Sequence, residues 1–445
     1  MRDLLILSIV IGALFLTFKR PYVGALLWAW LSIMNPHRYA YGFSFTMPLA
    51  MLAAVVTLVS LLVNREQLRK IPSQSVIWIW LLFYCWMVIT TLGAYYVDES
   101  LEMLNKVTKI TLMMFVTMFV VVEKRQINLL IWVYVMSIGL LGLKGGIFTI
   151  TSGGAHRVWG PPGSYISGNN EIGLAFVVVV PLLYYLTFQT KYQWLKYLTF
   201  ACAAGSAVSA FGSQSRGAFL AIAAMSVFLW LKADRKLPLG ILLVAGGLSI
   251  LAFMPESWHS RMDTIQTYQE DASSMGRLNA WMTAYNIASD NFLGAGFEAY
   301  KATPFARYRP NPEMINAAHS IYFQVLGEHG FVGLALYLLF WIFSWRLAGM
   351  VHRRAAKDPA LDWIRRFAAM AKVSMVGFAV GGAFLSLAYF DLPYYLTATL
   401  VVMARWIDMR QEACVGGQPG VSSPARNLRS RRRPVLPRAD DGARS

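Results

Sequence analysis

The chain has 445 residues, of which 57% are apolar and only 14% charged, with a mean hydropathy of +0.48. Soluble proteins carry about 25% charged residues, so this composition excludes a soluble enzyme and makes lipid the solvent for much of the surface. The 40 Lys and Arg against 23 Asp and Glu leave a net charge of +17. Because the basic residues collect between apolar segments and near the C-terminus, that charge reads as membrane topology and not as a nucleic-acid footprint.

A bilayer core needs about 20 apolar residues per helix. Segments of this kind lie at 3–18, 21–34, 45–63, 76–96, 105–122, 127–149, 170–188, 195–212, 217–232, 238–254, 331–348, 366–390 and 394–409. They predict an all-α polytopic integral membrane protein with about twelve transmembrane helices. Lys19-Arg20-Pro21 splits the first apolar stretch into two short halves. No Ala-x-Ala-like processing site follows Leu4–Phe18 and further spans come directly after, so this stretch is expected to remain in the protein.

Short basic connections (Arg65/Arg69/Lys70, Lys124/Arg125, Lys191/Lys196, Lys232/Arg235/Lys236 and Arg353 to Arg366) fall on alternate loops and are assigned to the cytoplasmic face. The other face then receives 35–44, 97–104, 150–169, 213–216 and the long segment 255–330. In that segment Met275–Ile287 is amphipathic and is followed by Gly294-Ala295-Gly296, Pro304, Pro310 and Pro312. This pattern predicts short helices broken by turns over the membrane surface. Residues 1–410 are thus expected to form one transmembrane domain. Residues 411–445, rich in Gly, Pro, Ser and Arg and containing Arg429-Ser430-Arg431-Arg432-Arg433, read as a disordered basic cytoplasmic tail at an anionic lipid surface. Cys85, Cys202 and Cys414 stand far apart without CxxC or Cys/His spacing, so neither a disulfide framework nor a zinc site is expected.

Cations on the non-cytoplasmic face oppose the topology bias and need another reason to be there. They are Arg38, Arg157, Arg216, Arg261, Arg277, Lys301, Arg307 and Arg309. Several adjoin Gly, Pro or Asn at a helix mouth, which places a guanidinium at headgroup level, a position suited to an anionic lipid head. The planar arginine fork donates two parallel hydrogen bonds to a phosphate, and a diphosphate has oxygens for two or three such forks. Arg157 and Arg216 lie beside small residues that leave room for a bulky ligand. Arg216 also opens helix 217–232, where backbone N–H groups favour an anion.

A second constellation runs from Asn316 through His319, Ser320, Tyr322, Gln324, Glu328 and His329 to Gly330. Read as a helix entering the membrane, it groups His319, Tyr322, Phe323 and Leu326 on one side, with Glu328 and His329 farther along. A histidine at a water–lipid boundary has the proton affinity of a general base toward a hydroxyl, and Glu328 is placed to orient it or an acceptor sugar. His37, His259 and His352 have no partner at metal spacing and read as interfacial. Asn169, Asn170 and Glu171 are expected as cap and first-turn residues of helix 170–188. Asp391 stands at the outer end of a span. No GxxxxGK[ST] or GxGxxG loop supports nucleotide binding. No Asp-x-Asp pair on the outer face supports a Mg²⁺-held sugar diphosphate, which leaves arginine to neutralise a leaving diphosphate.

At these residues the sequence resembles the O-antigen ligase family, the polytopic enzymes grouped with O-antigen polymerases and protein O-oligosaccharyltransferases. The resemblance rests on Ser215-Arg216-Gly217, on Gly276-Arg277 with Trp281, on Leu293-Gly294-Ala295-Gly296, and on His319-Ser320 through Gly330. Asn35-Pro36-His37-Arg38 with Gly42-Phe43, and Lys144-Gly145-Gly146 through Arg157-Val158-Trp159-Gly160-Pro161-Pro162-Gly163 to Gly168-Asn169-Asn170, are similar to the subgroup of exosortase-associated O-glycosylation ligases. These motifs span residues 1 to about 410.

The resemblance implies a GT-C-type glycosyltransferase of the bacterial inner membrane, acting on its periplasmic face without metal or other cofactor. Its donor would be a glycan on undecaprenyl diphosphate and its acceptor a hydroxyl of lipid A-core, giving lipopolysaccharide with inversion at the anomeric carbon. On this basis His319 and Arg216 are the expected catalytic residues. Arg157, Arg216 and Arg277 are expected to bind the diphosphate, and Arg38, Asn170, Ser320, Tyr322 and Glu328 are further substrate-binding candidates. Expected partners are the lipid-linked donor, the lipid A-core acceptor and membrane lipids, with no nucleic acid. Transfer to protein and O-antigen polymerisation use the same donor and stand as alternatives. A transporter for an anionic lipid is the rival from another class, but no internal repeat of the kind transporters show is visible.

Overall fold

The computed structural model describes residues 1–415 apart from Tyr41, Pro72, Asp234, Ser257, 259–271 and 311–315. Among the described residues the chain is helical and contains no strand. The helices are α1 (Arg2–Lys19), α2 (Pro21–Met34), α3 (Leu49–Val63), α4 (Ser75–Leu92), α5 (Val97–Val120), α6 (Lys124–Thr151), α7 (Asn169–Gln189) and α8 (Gln193–Gly212). They continue with α9 (Arg216–Lys232), α10 (Lys236–Phe253), α11 (Ala272–Asp290), α12 (Ala302–Tyr308), α13 (Ile321–Ala355), α14 (Asp362–Gly382) and α15 (Asp391–Val415). Six of them, α4, α5, α6, α7, α10 and α13, are each long and apolar enough to cross a membrane, and the chain is a multi-pass membrane protein. Met1–Trp406 forms one compact unit; the second begins at Ile407, where the described residues are the last turns of α15.

Local chemistry sets several boundaries. Pro21, which lacks an N–H, occupies the first turn of α2 and separates it from α1. A reciprocal capping box between Glu123 and Gln126 starts α6. Residues 97–104, expected as a connection, are instead the opening turns of α5, where Asp98 and Glu99 face the positive end of the helix dipole. The expected span 366–390 stops at Gly382, because Gly381-Gly382 weakens the helix, and 383–390 is non-helical.

Small residues bring α6 and α8 into close packing. A Cβ on Gly142 would stand 2.0 Å from Ser206 Oγ, and one on Gly146 would stand 2.6 Å from the Gly205 carbonyl oxygen. Ser209 Oγ donates to the Gly142 carbonyl at 2.7 Å across this seam. The seam carries the turn after α8 up against the loop after α6, and both belong to the candidate site.

Helix α13 begins ten residues before the expected span at 331, so the end of the expected loop 255–330 is helical. It breaks at Gly330, with φ 66° and ψ −172°, a conformation open to glycine and to almost no other residue. The break is held by the turn at 294–296, whose Ala295 and Gly296 N–H groups donate to the carbonyls of Gly327 and Glu328, each at 2.9 Å. A Cβ on Gly330 would also stand 2.5 Å from the Phe292 carbonyl oxygen. Gly330→Ala is therefore expected to destabilise the protein by about 1–3 kcal/mol. Thermal unfolding of the purified protein in detergent checks this, and an unchanged midpoint would show that the break accepts a side chain.

Candidate active site

The turn after α8 is the first half of the site. Ser215 is the N-cap of α9 and accepts from Ala218 N at 3.2 Å, which places Arg216 at the first helical position beside unsatisfied backbone N–H groups. Gln214 sits at φ 53° and bridges the turn to the loop after α6. Its Nε2 donates to the Gly154 carbonyl at 3.2 Å, and its Oε1 accepts from Arg157 Nε at 3.4 Å. Asn169 Nδ2 at the start of α7 donates to the Ser213 carbonyl at 2.8 Å, which draws the first turn of α7, with Asn170 and Glu171, to the same place. Arg38 closes this side: its guanidinium lies 5.0 Å from the Phe45 ring centroid and 3.7 Å from where a Gly163 Cβ would be.

The second half is the strand of chain leading into α13. The expected helical face containing His319 is not formed, because Ser320 is the N-cap of α13 and His319 precedes it with φ 43°, a left-handed backbone that side chains disfavour. Tertiary bonds hold it there. His319 N donates to Ser386 Oγ at 3.0 Å. Trp281 Nε1 on α11 donates to the Ala318 carbonyl at 2.7 Å, and the Trp281 ring stacks on Phe323 at 4.9 Å and 7°. The His319 ring is half-buried, and its Nδ1 is buried without a hydrogen-bond partner among the described residues. Burial, and then the neighbouring charge of Arg277, hold its pKa below the ordinary histidine value. The same Arg277 charge acts on Glu171 of α7, so Arg277 connects the two halves.

Both halves rest on the C-terminal end of α14. A Cβ on Gly217 would stand 3.1 Å from Phe384 Cβ, and one on Gly382 would stand 2.6 Å from Ile321 Cδ1. The glycines let α9 and α13 approach this end closely, so Arg216 and His319, 103 positions apart, share one floor.

The other candidates are placed as follows. Ser320 is buried at the start of α13 and Tyr322, in its first turn, donates to the Ala379 carbonyl of α14 at 2.8 Å. Glu328 is buried and accepts from Tyr389 Oη at 2.5 Å; the imidazole beside it is His329, 2.9 Å from the same hydroxyl, and not His319. The expectation that Glu328 orients His319 therefore meets a different arrangement. It belongs with His329, whose Nδ1 is 2.7 Å from Thr90 Oγ1, in a buried chain that ties α4, α13 and α15's leading segment together. Lys301 pairs with Glu99 at 3.5 Å and Arg307 lies over the Tyr308 ring. His37 is buried, with its pKa lowered by burial and by Arg38. Arg261, His259, Pro312 and the basic run Arg429–Arg433 lie outside the described residues.

Gln214 and Ser386 were not singled out from the sequence. Gln214 adjoins the Ser215-Arg216-Gly217 motif, two residues from Arg216, and its polarity at a helix mouth is a usable signal. Ser386 lies in a stretch read as transmembrane helix, where a serine signals nothing. Among the described residues no three His, Cys, Asp or Glu side chains stand together as a metal site.

Residues 198–338 match the family model described as O-Antigen ligase, and residues 1–191 match a family of unknown function designated DUF5935. No curated protein matches the chain. The first match contains Arg216, Arg277, His319, Ser320, Tyr322 and Glu328, and the second contains Arg38, Arg157 and Asn170. Residues 198–338, which supply both Arg216 and His319, are thus an O-antigen ligase domain within a multi-pass helical fold.

Proposed function

We propose that the protein transfers a glycan from undecaprenyl diphosphate to a hydroxyl of lipid A-core at the periplasmic face of the bacterial inner membrane. The observation that carries this reading is the convergence of Arg216 and His319 on one end of α14, with the Arg277 charge felt at the imidazole. In this reading about twelve of the helices span the bilayer in a GT-C-type arrangement over residues 1–410, and 411–445 is a cytoplasmic tail.

Arg157, Arg216 and Arg277 hold the diphosphate, assisted by the backbone N–H groups that open α9. The acceptor oxygen attacks the anomeric carbon as the bond from that carbon to the diphosphate oxygen breaks. His319 takes the hydroxyl proton, and undecaprenyl diphosphate leaves with its added negative charge stabilised by the guanidiniums. Direct displacement inverts the anomeric centre, and no metal or other cofactor takes part. An apolar groove of about 620 Å³ between α9 and α10, starting at Phe211 and Phe219 one turn from Arg216, supports placement of the polyprenyl chain. Arg38, Asn170, Ser320 and Tyr322 line the approaches to this centre.

The test is transfer by purified protein from undecaprenyl-diphosphate glycan to lipid A-core in EDTA, read by gel mobility. A slower lipopolysaccharide band is expected. No band with lipid A-core, together with glycosylation of a periplasmic protein offered in its place, would move the acceptor to protein. That second reading has its support in the similarity of 35–43 and 144–170 to the O-glycosylation subgroup. A ladder of donor-linked repeats without an acceptor would identify a polymerase.

A further inference from the structure

At the start of α4, ~22 Å along the helix from Thr90 and its partner His329, a cavity of about 510 Å³ opens between α4, α13 and α14. Arg346 and Arg353 of α13 and Lys372 of α14 line it, together with Gln74 and Ser75. Among the described residues no ion pair involves Arg346, Arg353 or Lys372, and no carboxylate lines the cavity. Three like charges thus converge on one concave space with nothing of opposite sign inside it.

Aromatic rings orient two of these cations. Lys372 Nζ lies 4.7 Å from the Trp345 ring centroid, and Arg346 Cζ lies 5.4 Å from that of Phe343. Gly349 leaves the space across α13 that Lys372 fills, since a Cβ there would stand 3.0 Å from Lys372 Nζ. The same cavity meets the start of α4, where, among the described residues, the N-cap Gln74 makes no side-chain cap bond and the first-turn N–H groups add to the positive potential.

Trp345 and Arg346 also line a second, apolar cavity of about 290 Å³ that continues between α13 and α14 along Leu338, Trp341 and Phe378 as far as Ile321 and Tyr322 at the start of α13. A basic cup joined to an apolar groove matches a molecule with a phosphate at one end and a hydrocarbon chain behind it. We propose that this site holds an anionic phospholipid, its phosphate among Arg346, Arg353 and Lys372 and one acyl chain in the groove. Such a lipid clamps α4, α13 and α14 together, with its phosphate at the end opposite the candidate active site. The site does not depend on the transfer reaction proposed above.

Native mass spectrometry of the full chain, released from nanodiscs of phosphatidylcholine containing phosphatidylglycerol, tests it. The wild type is expected to retain one more phosphatidylglycerol per chain than Arg346→Ala/Lys372→Ala. Lys191→Ala/Lys196→Ala, which removes the same charge from positions outside the cavity, should keep that lipid. Should the first double variant fail to insert, Arg353→Ala alone, at an exposed position, is expected to reduce the retained fraction. Equal phosphatidylglycerol retention by all variants, or equal retention of phosphatidylcholine in the pure lipid, would overturn the proposal. Displacement of the lipid by inorganic phosphate alone would also overturn it, by showing a simple anion site in which the groove has no part.

Discussion

His319→Ala is expected to lower glycan transfer by about 10²–10⁴-fold, the usual contribution of a positioned general base, while the protein still inserts. Insertion should survive because the bonds holding this segment use its backbone and not its ring: His319 N to Ser386, and the Ala318 carbonyl to Trp281. The pH profile of the wild type separates a base from a structural histidine. Burial and the Arg277 charge both disfavour the imidazolium, so the proton is lost at lower pH than usual. The neutral, base-competent ring is then present above this lowered pKa and disappears as pH falls through it. The acid limb of kcat is accordingly expected to have its midpoint below the ordinary histidine value of about 6.5. Arg277→Gln should move that midpoint upward. Wild-type product from His319→Ala, or an acid limb centred above 6.5, would remove His319 from the reaction.

Arg216→Ala is expected to cost about 10²–10³-fold in kcat/KM, the scale seen when one donor to a developing negative charge is removed. Arg216→Lys retains the charge but loses the two-pronged donor geometry, so its activity should fall between alanine and wild type. The helix itself should form in either variant, since its cap is the Ser215 hydroxyl and position 216 needs only a helical backbone. The in vitro transfer assay, run with protein shown to elute as a folded species, provides the comparison. Equal rates for wild type and Arg216→Ala would exclude this arginine from the diphosphate site.

Much of the helical framework was legible because lipid imposes a strong and simple demand. A run such as 21–34 or 217–232 has few alternatives to a helix when its backbone must satisfy its own hydrogen bonds, and observed bounds of Pro21–Met34 and Arg216–Lys232 follow the apolar pattern closely. The motif residues were legible for a related reason: a guanidinium at a helix mouth beside glycine is expensive to keep there without a ligand. The pattern failed where polarity and secondary structure part company. Residues 97–104 are polar and yet helical, because carboxylates in a first turn favour the helix. Residues 383–390 are apolar and yet irregular, because they turn to support His319 and Gln324 through Ser386 and Ala388 N.

Composition, apolar periodicity and the position of each basic residue were enough to determine that this is a helical membrane protein and to nominate Arg157, Arg216, Arg277 and His319. Those properties are local, and a single stretch of chain expresses each of them. Which nominated residues meet was decided only by tertiary structure, since the meeting depends on glycines at 217 and 382 that let distant helices share the end of α14. The left-handed backbone of His319 and the pairing of Glu328 with Tyr389 and His329 were decided there as well. Both are held by partners 60 or more positions away, Ser386 and Tyr389, and no pattern read along the chain carries the geometry of such contacts.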